Sequence, residues 1–466
     1  MNLLENVISR TDSYKLSHYL QYPPKTTEVY SYWESRDPDP SRGQMFFGLQ
    51  YFLKKYLVGK QVKDIWEIQE MADFLNVHMG STDLINASGW HHILDDHYGW
   101  LPLRIRAVPE GTYVPPSNAL MTVENTCPKC FWLTNYMETI LSQIWYPTTV
   151  ASNDFAAKKI LRDHAALTGA DPFVDFKLHD FGYRGSTSPE SAAIGCAAHM
   201  VNFQGTDTIG GLLLLKNYYH ADTPAGFSIP AAEHSTITSW GKDHEVDAFR
   251  NMLEQYPNGL VAVVSDSYDI FNACENLWGK ELHDSIVNRN GTLVVRPDSG
   301  YPPSIVVQVL NTLGQAFGYT HTDKGYHLLP PYIRVIQGDG IDQEMMTAIL
   351  YAMTEANWST DNITFGSGGG LLQKVNRDTY RFAFKCSEVI VDGERRDVSK
   401  DPITDHGKKS KAGRFSLIEG ESGHFETVPY DESLGDNDLL VPVFENGKLL
   451  VDYTFDEVRA RANTYL

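Results

Sequence analysis

"NITFGSGGGLLQK", residues 362–374, is the stretch on which the fold turns. An apolar, β-prone run leads into four glycines within five positions, Gly366 to Gly370, and a helix-prone run follows. Bare backbone between a strand and a helix lets main-chain amides approach a phosphate. A crowded turn that has no room for side chains gives the same pattern. Two familiar phosphate signatures do not fit. No Lys-Ser or Lys-Thr follows, as a Walker loop needs, and the sixth position from Gly366, where a dinucleotide fingerprint has glycine, is Leu371.

Outward from this stretch the same event recurs. A short apolar run ends in polar residues, often with glycine, and a helix begins. The runs are FKLHDFGYRG, NFQGTDT, FSIPAAEHS, LVAVVSDSYD, TLVVRPDSG, IRVIQGDG and ITFGSGGG, all between residues 172 and 370. Their spacing of ~20–40 residues matches one βα unit each. The helices between them carry apolar stripes: Val246, Phe249 and Leu253; Val306, Val309, Leu310 and Leu313, after Pro302-Pro303 and with a stop expected at Gly314; Met346, Ile349, Leu350 and Met353. Buried strands alternating with amphipathic helices predict a parallel sheet, and seven such units favour an irregular (β/α) barrel over an open sheet. In a barrel the strand C-termini share one mouth, and phosphate sites follow the last strands. The glycine run stands at the last of the seven strand ends, which favours its phosphate reading.

The flanks differ. Residues 1–150 mix helices with strands such as VYSYWES and PLRIRAV. Residues 381–466 carry RFAFKCSEVIV, RFSLIEG and LLVPVFENGKLL, with a hairpin at Asn446-Gly447. They predict one α+β domain assembled from both chain ends around a barrel domain of residues 151–380.

Composition narrows the function. The chain has 466 residues, 42% hydrophobic and 21% charged, with a net charge of −20. That acidity opposes a nucleic-acid surface. The start MNLLENVISRTDSYK lacks a signal peptide's basic and apolar regions, and no run reaches the ~20 apolar residues of a membrane span. Five scattered cysteines fit reduced thiols in the cytoplasm. Cys127 and Cys130 form a CxxC in ENTCPKCFW; with no second pair and no histidines evident at suitable spacing, a packing role at a helix start is expected.

The strand ends supply Arg184, Asp207, Glu233, His234, Asp269, Arg296, Asp298 and Asp339. Arginine pairs with phosphate oxygens in bidentate fashion. Carboxylates in the same mouth repel phosphate unless Mg²⁺ or sugar hydroxyls lie between, so a phosphorylated sugar is the expected ligand. No HExxH motif and no His/Cys cluster points to a catalytic transition metal. Each residue also has a structural reading: Asp207 or Asp339 as a helix N-cap, Arg184 or Arg296 in an ion pair, His234 as a hydrogen-bonded scaffold residue.

The stretches TDSYKLSHYLQYPP, VYSYWESR, LHDFGYRG, NFQGTDT, PAAEHSTITSWGKDHE, VVSDSYDIFNAC, VRPDSG, PPYIRVIQGDG and FGSGGGLLQKVNRD, in this order, closely resemble the type II phosphoribosyltransferases, and among them the nicotinamide phosphoribosyltransferases. The likeness runs from about residue 10 and weakens after about residue 415. It implies an irregular α/β barrel with an α+β domain, a cytoplasmic homodimer, and the reaction of nicotinamide with phosphoribosyl diphosphate that opens NAD salvage, with Mg²⁺ as cofactor and ATP as coupling substrate. By resemblance, Phe181 stacks on the pyridine ring. Tyr14, with Asp12 nearby, closes the sandwich from the other subunit. Asp207 accepts from the carboxamide. Arg184, His234 and Arg296 serve the diphosphate, and Asp298, Gly338 and Asp339 the ribose. Gly368 and Gly369 hold the 5′-phosphate, with Arg377 from across the dimer. Lys385, Lys400 and Lys408 lie near phosphates, although GKKSKAGR also reads as a solvated loop. Mg²⁺ is expected mainly through the substrate diphosphate, with Asp269 and Asp298 as candidate ligands. His234 is the expected phosphoryl acceptor from ATP.

An aspartate at position 207 favours an amide over a carboxylate substrate by charge alone. The CxxC and the acidic Glu388 after RFAFKCS depart from the family pattern. Three alternatives stay open: a nicotinate phosphoribosyltransferase, a lyase or isomerase acting on a sugar phosphate, and a non-catalytic ligand-binding or signalling protein on the same scaffold.

Overall fold

The alternation after residue 172 resolves into a parallel six-stranded sheet. In hydrogen-bonded order its strands are Gly205–Thr206, Leu178–Asp180, Ile363–Ser367, Ile333–Gln337, Asn290–Arg296 and Asn258–Val264. The computed structural model describes residues 3–82, 84–401, 404, 409–420 and 423–466. Six of the seven expected runs are strands. The seventh, FSIPAAEHS, joins the two sheet edges with isolated bridges, Phe227 to Gly205 and Ala231 to Ala262. Phe227 N donates to Gln204 O at 2.7 Å, and Ala262 N donates to Pro230 O at 2.9 Å. Pro230 has no amide hydrogen, so this segment cannot sustain a regular ladder. The ring closes, irregularly, at that point.

The strands are buried almost throughout at Val261, Val263, Val264, Leu293, Val295, Val335 and Phe365. Continuous apolar runs are what a sheet covered by helices requires. Helix Gln343–Glu355 buries Met346, Ile349, Leu350 and Met353 as its stripe predicts. Helix Pro302–Phe317 buries Val306, Val309, Leu310 and Leu313 but does not stop at Gly314. A methyl group at Gly314 would lie 2.8 Å from the Trp358 ring, so this glycine makes room inside the helix. The stop comes at Gly318, where φ is 74°.

The chain divides into two compact units: Met1–Ser152 with Asn217–His220 and Asn376–Tyr465, and Asn153–Lys216 with Ala221–Val375 and Leu466. The parallel ring belongs to the second. The first holds a seven-stranded antiparallel sheet among the described residues, ordered Glu394–Asp397, Phe382–Val391, Thr26–Ser35, Ala119–Asn125, Leu103–Ala107, Val441–Glu445 and Lys448–Leu449. Trp33 stacks on Phe382 at 4.4 Å across the seam where the two ends of the chain pair. Asn446 and Gly447 turn the last hairpin with φ of 48° and 77°, as a two-residue turn of the primed kind demands. RFSLIEG stays outside the large sheet: Phe415–Glu419 pairs with Phe425–Pro429. Glu388 is buried and receives Arg414 Nε at 2.7 Å, while another Arg414 nitrogen reaches Glu124 at 2.6 Å. Its acidity is thus absorbed by a structural ion pair. Among the described residues no helix is long and apolar enough to cross a membrane.

Candidate active site

Two of the four glycines at residues 366–370 are there for packing. A methyl group at Gly366 would lie 1.9 Å from the Phe181 ring, and one at Gly370 would lie 2.3 Å from the Ile341 carbonyl oxygen. Gly368 and Gly369 are different. A methyl group at Gly369 meets nothing within 4 Å, and one at Gly368 would touch the Phe181 backbone at 3.5 Å. The backbone closest to open space is therefore the pair that the resemblance assigns to phosphate. Gly185, next to Arg184, faces this pair: its methyl would lie 3.5 Å from Gly369 N. Arg184 itself is exposed.

Phe181 leaves the Leu178–Asp180 strand under tight control. Its amide donates to Ser367 O at 2.9 Å. Buried Asp180 accepts from Gly182 N at 2.7 Å and from Thr206 Oγ1 at 3.0 Å, which fixes the turn. The ring packs on Ala262, Val294 and Ile336 and lines a cavity of about 420 Å³ together with His179, Asp207 and Ser228.

Asp207 sits on that cavity's polar side. His179 Nε2 lies 3.0 Å from its Oδ1, and Ser228 Oγ donates to the same oxygen. Burial alone would raise the Asp207 pKa. The His179 hydrogen bond and charge, the Ser228 hydroxyl and the charge of Arg296 outweigh it and hold the carboxyl below its ordinary range. Both bonds fall on Oδ1; Oδ2 accepts none among the described residues.

A second cluster stands at neighbouring strand ends. His234 opens the helix His234–Thr238 and is exposed. Its Nε2 lies 2.9 Å from Oδ1 of Asp266, whose side chain is 5% exposed. The other Asp266 oxygen accepts from Asp298 N at 3.2 Å. Arg296 holds the Asp298 carboxylate with both fork positions, Nε at 3.2 Å and Nη2 at 2.8 Å. Gly338 joins the two clusters: its methyl would lie 3.3 Å from the Phe181 ring and 3.5 Å from Asp298 Oδ1. Phe181, Asp207, His234, Arg296, Asp298 and Gly338 are thus brought together. Asp339 is exposed, and its carbonyl receives Gln337 Nε2 at 3.2 Å. Glu233 caps the His234 helix and its side chain takes the Ser235 hydroxyl. Asp269 caps the short helix Ile270–Asn272, accepting from Phe271 N and Asn272 N at 3.0 Å each. His179, Ser228 and Asp266 are site residues that the sequence reading missed.

The remaining candidates lie in the unit built from both chain ends. Tyr14 is exposed, and Asp12 accepts from Thr139 Oγ1 at 2.7 Å. Arg377, Lys385 and Lys400 line a separate cavity of about 560 Å³ with Arg36, Arg381 and Glu138. Burial, opposed by Glu138 but helped by the positive charges of Arg36, Lys400 and Arg377, lowers the Lys385 pKa. Arg36 and Arg381 were not foreseen. Lys408 lies outside the described residues. The expectation that no histidines accompany Cys127 and Cys130 fails, because folding brings His92 and His97 to them.

Known proteins agree with this architecture. The model of the nicotinate phosphoribosyltransferase (NAPRTase) family matches residues 176–448, and that of the nicotinamide phosphoribosyltransferase N-terminal domain matches residues 6–105. A nicotinamide phosphoribosyltransferase of Xanthomonas campestris is 49% identical over 472 residues, spanning 99% of each chain. One from Acinetobacter baylyi is 32% identical, over 99% of this chain and 98% of its own. The fold is shared with crystal structures of a Pyrococcus furiosus nicotinate-nucleotide pyrophosphorylase (TM-score 0.60, 17% identity, 98% and 95% coverage) and human nicotinic acid phosphoribosyltransferase (TM-score 0.53, 16% identity, 97% and 93% coverage). The fold is that of the type II phosphoribosyltransferases, enzymes that move a pentosyl group. The chain belongs to the nicotinate phosphoribosyltransferase (NAPRTase) family.

Proposed function

We propose that this enzyme transfers phosphoribosyl from 5-phosphoribosyl 1-diphosphate to nicotinamide, giving nicotinamide mononucleotide and diphosphate. The observation that carries the substrate is Asp207. Its carboxylate is held ionised, one oxygen is occupied, and the other is left for a donor in the cavity lined by Phe181. A carboxamide NH₂ satisfies that oxygen. A nicotinate carboxylate would meet it as a like charge.

In the reaction the pyridine nitrogen uses its own lone pair, so no general base is required. The C1′–N bond forms as the C1′–O bond breaks, and diphosphate leaves with the electron pair. Phe181 holds the ring flat and in line. Arg296 and Arg184 stabilise the departing charge; Asp298, Gly338 and Asp339 position the ribose; Gly368 and Gly369 take the 5′-phosphate. The donor set fits Mg²⁺ carried mainly by the substrate, since Asp298 is engaged by Arg296 and Asp269 Oδ1 by helix amides. When bound, Mg²⁺ neutralises charge on the diphosphate.

His234 is the proposed acceptor of the γ-phosphoryl group of ATP, with ADP as leaving group. With Nε2–H given to Asp266, Nδ1 carries the free lone pair. The working form is a cytoplasmic homodimer in which the partner's Tyr14, with the partner's Asp12 nearby, covers the nicotinamide ring. The partner's Arg377 reaches the 5′-phosphate, and Lys385, Lys400 and Lys408 lie near phosphates. The convergence of basic side chains around the 560 Å³ cavity supports a polyanion there.

The test is an end-point assay with Mg²⁺, phosphoribosyl diphosphate and either nicotinamide or nicotinate, with and without ATP, the mononucleotide being identified by mass. Product from nicotinamide is expected, and the ATP arm reads His234. Product mainly from nicotinate overturns the Asp207 argument, and no product from either overturns the transfer.

A further inference from the structure

The strand Ala119–Asn125 runs into a tight turn, Pro128–Cys130, in which Cys130 N donates to Cys127 O at 2.9 Å. Asn125 Nδ2 donates to the same carbonyl at 2.8 Å. This anchored turn presents a Cys-x2-Cys pair. Helix Ala87–Asp96 carries His92, and His97 follows as its C-terminal cap, a His-x4-His pair. The four side chains offer two sulfurs and two ring nitrogens that all lie within 4.8 Å of one another.

The details are those of a ligand set. His92 Nδ1 is engaged by the Asp96 carboxylate, and His92 Nε2 lies 3.3 Å from Cys127 Sγ. A carboxylate behind a histidine is the usual way to fix the tautomer that presents its other nitrogen to a metal. His97 Nε2 is buried and finds no hydrogen-bond partner among the described residues. Both cysteines are free thiols. Around a tetrahedral zinc ion, with Zn–S about 2.3 Å and Zn–N about 2.0–2.1 Å, ligand atoms stand about 3.3–3.8 Å apart. The His92–Cys127 separation, 3.3 Å, already falls in that range, and the rest need contract by about 1.5 Å at most.

We propose that His92, His97, Cys127 and Cys130 bind one Zn²⁺ ion, a closed Cys₂His₂ structural site that ties helix Ala87–Asp96 to the turn after strand Ala119–Asn125. Two sulfur and two nitrogen donors in tetrahedral reach select zinc over the hard cations used with phosphates. Four protein ligands leave no position for a substrate, so the ion stabilises the unit rather than reacting. Binding releases the two thiol protons to solvent. Trp90, on the same helix, meets the Trp132 ring at 4.9 Å beside the turn, which gives the site a spectroscopic reporter.

The experiment is elemental analysis of the full-length enzyme purified under reducing conditions without added metal. About one zinc per chain is expected, and none in the Cys127→Ser/Cys130→Ser double variant. After chelation, Co²⁺ should restore the visible absorption of tetrahedral cobalt with thiolate ligands in the parent chain and not in the variant. Chelation of the parent chain should also lower Tm by about 5 °C or more, change the near-ultraviolet dichroism from Trp90 and Trp132, and expose two further thiols to titration. Should the double variant fail to fold, these readouts on the parent chain decide alone. Three results overturn the proposal: no zinc and no cobalt uptake by the parent chain, equal uptake by a folded double variant, or a Cys127–Cys130 disulfide in the reduced preparation.

Discussion

The barrel cavity and the basic cavity treat charge in opposite ways. In the first, Phe181, Ala262, Val294 and Ile336 make apolar walls, and Asp207 offers one unengaged oxygen. In the second, Arg36, Arg377, Arg381, Lys385 and Lys400 face Glu138. A neutral planar amide suits the first; a polyanion suits the second. On the proposed reading, selectivity at the barrel cavity rests on a single acceptor, Asp207, whose half-exposed carboxylate stands beside the apolar walls and repels a like charge. On the same reading, affinity at the basic cavity is shared among several cations, so no one of them is decisive. A substitution in the first should change which molecule reacts. A substitution in the second should change how tightly phosphate is held.

The largest effect is expected where the barrel mouth itself meets leaving-group charge. Arg296→Ala should lower kcat by about 10²–10³-fold. Arg296→Lys should recover only part of that loss, because the two-pronged hold on Asp298 is lost even though the charge is kept. Steady-state rates with phosphoribosyl diphosphate varied would show it; a full recovery by lysine would reduce Arg296 to a simple point charge. Next comes Asp207→Asn. The ratio of kcat/KM for nicotinamide to that for nicotinate should fall by about tenfold, the value of one charged hydrogen-bond partner at a half-exposed carboxylate. An unchanged ratio would place selectivity elsewhere in the cavity and break the contrast drawn above.

In the basic cavity the expected effects are smaller. Lys385→Ala should raise KM for phosphoribosyl diphosphate by about five- to tenfold while kcat moves less than twofold, since the neighbouring cations share the load. Raising ionic strength should narrow the gap between variant and parent. A fall in kcat as large as that of Arg296→Ala would mean that the two cavities do one job.

How far each cavity can be read in the sequence follows from how it is assembled. In the parallel ring the strands end at the same mouth, so Asp207, Arg296 and Asp298 stand at visible strand ends, and His234 stands at the end of the bridging segment. Even there, SDSYD hides a choice. Asp269 is followed by the helix Ile270–Asn272 and caps it, which leaves Asp266 to hold His234. The capping position was the available signal. His179 lay inside a strand, and Ser228 in the segment whose proline made the ring's closure irregular. The basic cavity needs the pairing of Ser35 with Phe382, between chain ends, to bring Arg36 beside Arg381, and no local pattern encodes that. His92 and His97 are likewise separated from Cys127 by two strands of the same sheet, Leu103–Ala107 and Ala119–Asn125. A histidine pair preceding the cysteines is legible only once the search runs in both directions.

The smallest expected effect tests how sparingly the barrel mouth carries charge. Glu245 opens the helix Glu245–Gln255 and is buried, and its Oε1 finds no hydrogen-bond partner among the described residues. Burial first, then the charges of Asp269 and Asp266, push its pKa up to about 7, against a weaker pull from Lys242. A carboxyl raised on folding supports the fold fully below its unfolded pKa of 4.5, where it is protonated in both states, and that support is lost as pH climbs through about 7. Glutamine keeps the shape without the ionisation. Glu245→Gln should therefore melt close to the parent at pH 5 and higher than the parent at pH 8, by about 1 kcal/mol after allowance for solvent screening. Thermal unfolding at the two pH values checks it. An identical shift at both would mean that Glu245 is not titrating in that interval and that Asp266 faces His234 without a competing acid. A gap that opens only at pH 8 would place an acid titrating near neutrality beside the His234–Asp266 pair, with its protonation set by the same two aspartates.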